Sequence, residues 1–156
     1  MIDYEKYRQM LNRLTPRYAG KVFPIDGCPV PLIGESIKQH LEGSGSVLVC
    51  AVTLGEEFDR LLRRLQLEDM AGAVILDQMA GDYLDEVCDK FDSEIMSRHE
   101  DSRYCWRFSP GYGDFPLSVS RDIIDVLEAT KKIGLCITDE FILTPQKSIT
   151  GIVGIL

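Results

Sequence analysis

Residues 47–52, Val-Leu-Val-Cys-Ala-Val, form an apolar run with no polar break. Such a run, rich in β-branched valine, fits a strand buried on both faces rather than one that alternates between core and water. A strand of that kind needs packed layers on both sides, so the remaining segments must supply them. Gly43-Ser-Gly-Ser46 precedes the run as a flexible joint. Thr53-Leu-Gly-Glu56 follows it with the spacing of a capping box, which predicts that a helix starts there.

The helical segments have regular periodicity. Tyr4, Tyr7, Leu11 and Leu14 share one face of a helix over residues 4–14, capped by Asp3 and ended by Pro16. Residues 17–31 carry three prolines and read as a connector. Ile33, Ile37 and Leu41 mark a second helix with Gly43 as its C-cap. Phe58, Leu61, Leu62 and Leu65 form the face of a third, with Asp59 and Arg63 positioned to pair. Asp69 can cap the longest helix, about residues 70–92, whose stripe runs from Val74 to Phe91. Asp77, Gly81 and Asp85 share another face of that helix. The small Gly81 lets a backbone or a ligand approach the two acids, or else marks a helix–helix contact.

Residues 93–102 read as an exposed polar loop, and Tyr104–Phe108 as a short strand. A helix over 120–132 ends at Gly134. Leu135–Thr138, Glu140–Leu143 and Ile149–Leu156 read as strands, with Pro145–Ser148 as a turn. Gly151 and Gly154 in the last strand point to a bulge or a close neighbour. Helices first and short strands later predict an α+β fold, with helices packed around a small, mainly antiparallel twisted sheet. The 156 residues predict a single domain: an N-terminal helical segment over 1–45 and a core over 46–156.

The net charge of −8 argues against a nucleic-acid partner, because phosphate neutralisation needs clustered cations. No apolar stretch reaches membrane-span length, and the polar N-terminus does not read as a signal peptide, so the expected compartment is the cytoplasm. Five cysteines lack metal-ligand spacing and read as buried, reduced thiols, with Cys50, Cys88 and Cys136 inside apolar runs. His40 and His99 read as solvated helix-surface residues.

Walker, GxSxG, HExxH and GxGxxG signatures are absent. The densest turn cluster is Arg107-Phe-Ser-Pro-Gly-Tyr-Gly-Asp-Phe-Pro116. It combines a fixed cation, exposed amides and aromatic rings, which suit an anionic, purine-bearing small molecule. A site that positions a reactive cofactor fits better than one doing acid–base chemistry.

Arg107-Phe-Ser-Pro-Gly-Tyr112 resembles the RxxPGY motif of the activation (reactivation) domain of cobalamin-dependent methionine synthase, in its short stand-alone form. Asp139-Glu-Phe is similar to that family's TESF-like segment, and Pro145-Gln-Lys-Ser-Ile-Thr-Gly151 to its Pro-x-x-Ser-Val-Ser-Gly turn and strand. The segments around 51–59 and Leu76-Asp77 resemble the short members, so the likeness runs from about residue 47 to the C-terminus. The resemblance implies a shallow groove for S-adenosylmethionine, with Arg107 and Tyr112 at the ligand and Ser109 offering backbone contacts near adenine. It extends the site to Pro110 and Gly111, with Asp85 and Asp77 as candidates for the ligand's amino group.

The implied role is the activation component of a methyltransferase. It supports reductive methylation of cob(II)alamin held by methionine synthase, with electrons from a flavodoxin-like or ferredoxin-like donor. The larger family members continue past the last shared strand with a tyrosine that packs on the ligand, so the resemblance implies a groove here that is more open, binds more weakly, or is completed by a partner. A non-catalytic docking module, or an activator of another corrinoid methyltransferase, are the alternatives.

Overall fold

The computed structural model describes residues 1–98 and 104–156. The run at 47–52 lies within β2 (Ser46–Thr53), the middle strand of a three-stranded antiparallel sheet. Its neighbours are β1 (Arg17–Pro24) and β5 (Ser148–Ile155). Residues 47–53 are all buried, as an unbroken apolar run requires. Leu48, Cys50 and Val52 face one core; Val47, Val49 and Ala51 face another.

The first core is covered by α1 (Tyr4–Asn12), α3 (Glu56–Glu68) and α4 (Met70–Met96). The second is covered by α2 (Glu35–His40), α5 (Val119–Leu127) and α6 (Ala129–Ile133). The result is a helical layer on each side of the antiparallel sheet, the α+β architecture expected. A small hairpin, β3 (Cys136–Ile137) with β4 (Leu143–Thr144), leads into β5.

Several local expectations change. Residues 17–24 form β1 rather than a connector, because the apolar stretch before Pro24 pairs with β2 along its whole length. Thr53 ends β2 and does not cap α3: its Oγ1 accepts from Gly55 N–H and from Ser148 Oγ. Asp59 accepts from Gln146 N–H, and the pair along α3 is Glu56–Arg60. Asp69 does cap α4, accepting from Gly72 N–H at 3.1 Å. That helix continues to Met96, absorbing the start of the expected polar loop.

The expected helix over 120–132 breaks at Glu128, which sits at φ 51° between α5 and α6. Segment 104–108 forms no regular strand but runs along β5: Tyr104 and Phe108 make isolated bridges to Ile155 and Ile152, and Cys105 N–H donates to Gly154 O at 3.0 Å. Cys136 is exposed rather than buried. His99 lies outside the described residues. His40 is half-buried: its Nε2 meets Trp106 O at 2.7 Å, and its ring packs on Trp106 and Phe108.

Candidate functional site

Arg107 reaches the face of α4 from the bridge segment beside β5. Its stem needs room, and Gly151 of β5 supplies it: a Cβ there would sit 2.5 Å from Arg107 Cγ. The strand glycine is thus a close-neighbour position. Arg107 Nη1 donates to Asp89 Oδ1 at 3.1 Å and to Asp92 Oδ2 at 3.2 Å, and Nη2 donates to Asp85 Oδ1 at 3.3 Å. The arginine side chain is only 10% exposed, while Asp85 is 62% exposed. Three carboxylates therefore meet one cation, and the site carries surplus negative charge. Of the guanidinium's donors, Nε–H and one N–H of Nη2 have no acceptor among the described residues.

Beneath this network is a buried cluster. Tyr18 of β1 donates to Asp92 Oδ1 at 2.6 Å. Cys88 of α4 lies 3.9 Å from Asp92 Oδ2, and Cys50 of β2 donates to Gly151 O at 3.5 Å. Ligand-type atoms of Cys50, Cys88 and Asp92 all lie within 4.8 Å of one another. The cation present in this cluster is Arg107.

Burial raises the Asp92 pKa above the ordinary carboxylate value, although the Tyr18 and Arg107 hydrogen bonds pull the other way. The Cys50 thiol is pushed well up by its hydrogen bond with Cys88, then by burial and the Asp92 charge. Burial opposes the charge of Arg107. The neighbouring Cys88 and Cys50, together with Asp92 and Asp89, outweigh burial and raise its pKa.

The turn after Arg107 is tightly specified. Tyr112 N–H donates to Ser109 O at 3.1 Å, and Gly111 N–H to Phe115 O at 2.8 Å. Gly111 and Gly113 sit at φ 98° and 55°, where glycine is unstrained. Asp114 anchors the turn to α2 by accepting from the Glu35 and Ser36 N–H groups, both at 2.8 Å. Those backbone bonds hold the Asp114 pKa below the usual carboxylate value. Tyr112 is half exposed and stands edge-on to buried Phe108.

Arg107, Ser109, Pro110, Tyr112 and Asp85 line one cavity of about 290 Å³. Phe141 of the β3–β4 hairpin lines it as well, as does Ile149 of β5. The volume is near the lower end of ligand pockets, roughly 300–1,000 Å³. Gly111 does not line the cavity; it shapes the turn. Asp77 lies apart: it pairs with Lys147 at 3.1 Å and lines a different cavity. Gly81 has nothing within 4 Å of a Cβ placed on it, so neither a helix nor another backbone approaches there.

Sequence reasoning missed Asp89, Asp92, Tyr18 and Phe141. The aspartates had a signal, because Asp85, Asp89 and Asp92 recur at i, i+4, i+7 on one helical face. Tyr18 had none, since β1 was not read as a strand.

Comparison with solved structures finds similarity to the MetH reactivation domain bound to AdoHcy, with a TM-score of 0.63 at 18% identity. The alignment covers 97% of this chain. The fold is the reactivation-domain fold. This chain spans 63% of the length of that one, and at this identity the likeness speaks for architecture. No family model matches the sequence, and neither does any curated protein. Within that fold, Arg107, Ser109, Pro110 and Tyr112 meet Asp85 of α4 at one cavity, and Arg107 with Asp85, Asp89 and Asp92 also lines a second. No described helix is long and apolar enough to cross a membrane.

Proposed function

We propose that this protein binds S-adenosylmethionine in the cavity beside Arg107. With it, the protein supports the reductive methylation of cob(II)alamin on a methionine synthase or a related corrinoid protein. The carrying observation is that Arg107, Ser109, Pro110 and Tyr112 line one cavity with Asp85, on a fold shared with a reactivation domain.

The chemistry is compatible. The two remaining donors of Arg107 suit the ligand carboxylate. The exposed Asp85 can exchange its bond to Arg107 for one to the ligand ammonium. The surplus acids favour the sulfonium. Tyr112 and the turn that Gly111 shapes are apt for the adenine. Asp77, committed to Lys147, is not needed in this arrangement.

Transfer of a methyl group from a sulfonium expels a neutral thioether, so the protein must position the donor rather than move protons. Cobalamin stays with the partner, and a flavodoxin-like or ferredoxin-like donor supplies the electron. The five free cysteines fit a reducing cytoplasm.

A docking module that leaves the cavity unused is the second reading. It is favoured by one observation, that three aspartates already hold Arg107. A reactivation assay separates the two. A synthase lacking its own reactivation domain, stalled as cob(II)alamin, is supplied with S-adenosylmethionine and a low-potential reductant. Recovery of turnover only when this protein is added supports the proposal. Recovery that does not depend on it, or complex formation without recovery, favours the docking module.

A further inference from the structure

Resting on that reading, we propose that Phe141 is the second aromatic wall of the cavity and that the planar base of the ligand stacks on it. Two rings line the cavity: Tyr112 from the turn and Phe141 from the β3–β4 hairpin. Phe141 is one of two non-glycine residues with positive φ among the described residues, at 65°. A bulky side chain adopts that conformation only where its surroundings impose it.

The surroundings do impose it. Thr138 N–H donates to Ile142 O at 2.9 Å, Phe141 N–H to Thr138 O at 2.9 Å, and Ile142 N–H to Thr138 Oγ1 at 3.1 Å. Arg121 of α5 donates to Thr138 O at 2.9 Å, and its guanidinium carbon lies 5.4 Å from the centre of the Phe141 ring.

This bracing does not serve either core. Phe141 belongs to neither buried cluster and remains partly exposed. Glycine, or asparagine, would close the same hairpin with less strain. What the strained conformation achieves is a ring held at the cavity wall with a cation beside it. Apolar Leu143 and Ile149 continue that wall. An aromatic ring against a fixed guanidinium is a platform for a purine, because stacking depends on the π face and not on a particular hydrogen-bond pattern. Arg107 and Asp85 would hold the amino-acid end of the ligand, and Phe141 the base.

Calorimetric titration with S-adenosylmethionine tests this on wild type, Phe141→Gly, Phe141→Leu and Phe141→Trp, with each variant's fold checked by thermal melting. Glycine relieves the positive φ, so that variant folds at least as stably as wild type. Its affinity, and that of the leucine variant, should fall by about fivefold or more, the scale of base stacking. Tryptophan should retain affinity. Glycine and leucine variants that bind as well as wild type would overturn the role of Phe141 and leave the proposed function standing. A wild type that binds no ligand would overturn the functional reading, and this inference with it.

Discussion

At the scale of single residues, the organisation centres on Arg107. Its charge is offset by three aspartates, and its stem occupies the space that Gly151 leaves. A methyl group at that position must displace the arginine. Gly151→Ala should therefore lower the melting temperature and weaken S-adenosylmethionine binding together, read by differential scanning fluorimetry with and without ligand.

Asp92 gives a pH signature. Burial raises its pKa in the fold, whereas the unfolded carboxylate titrates near 3.9. Above that value the unfolded chain releases the proton first, so the native state holds more protons and stability falls as pH rises through the raised pKa. Melting curves from pH 4 to 8 should show this decline in wild type and a flatter profile in Asp92→Asn. Parallel profiles would count against the assignment. The motif residues themselves were legible, because Gly and Pro mark a turn wherever they cluster. The partners of Arg107 were not, because they stand 15, 18 and 22 positions away in the chain and meet it only through the fold.

At the scale of elements, α4 carries most of the site. Its cap at Asp69 and its apolar stripe were readable from spacing, but Val74, placed in that stripe, is 53% exposed. From the sequence, Gly81 reads as an approach point for a backbone or a ligand between two acids, or as a helix–helix contact. The helix instead leaves open space there, and Asp77 and Asp85 go to different partners. Gly81→Ala should consequently stabilise the protein by about 0.5–1 kcal/mol, since alanine restores helix propensity and meets no neighbour. Chemical denaturation would show an unchanged slope with a higher midpoint, and ligand affinity should not move. β1 escaped sequence reading for a physical reason. It is an edge strand with Gly20 and Lys21 exposed near its centre, so its composition resembles a loop, and pairing with β2 makes it a strand.

At the scale of the whole molecule, β2 divides two cores that share one strand. We propose that they unfold as one unit. Leu48→Ala, in the first core, should cost about 2–5 kcal/mol, and Ile123→Val, in the second, about 0.5–1.5 kcal/mol. Both should shift a single calorimetric transition, whereas two separate transitions would refute the shared unit. The α+β class was legible because helices precede short strands and the strand at 47–52 is apolar throughout. The mainly antiparallel sheet was expected too, but the place of that strand between β1 and β5 was not, since an unbroken apolar run shows that both faces are covered without showing which strands flank it. The likeness to a solved reactivation domain supports the architecture, so binding at the Arg107 cavity is the claim to measure. Isothermal titration with S-adenosylmethionine, for wild type and Arg107→Ala, alone and with a corrinoid partner, does so most directly. The account predicts saturable binding by wild type and a loss of more than about 1.5 kcal/mol, over tenfold in affinity, in the variant. No binding by wild type, or equal binding by the variant, would contradict it.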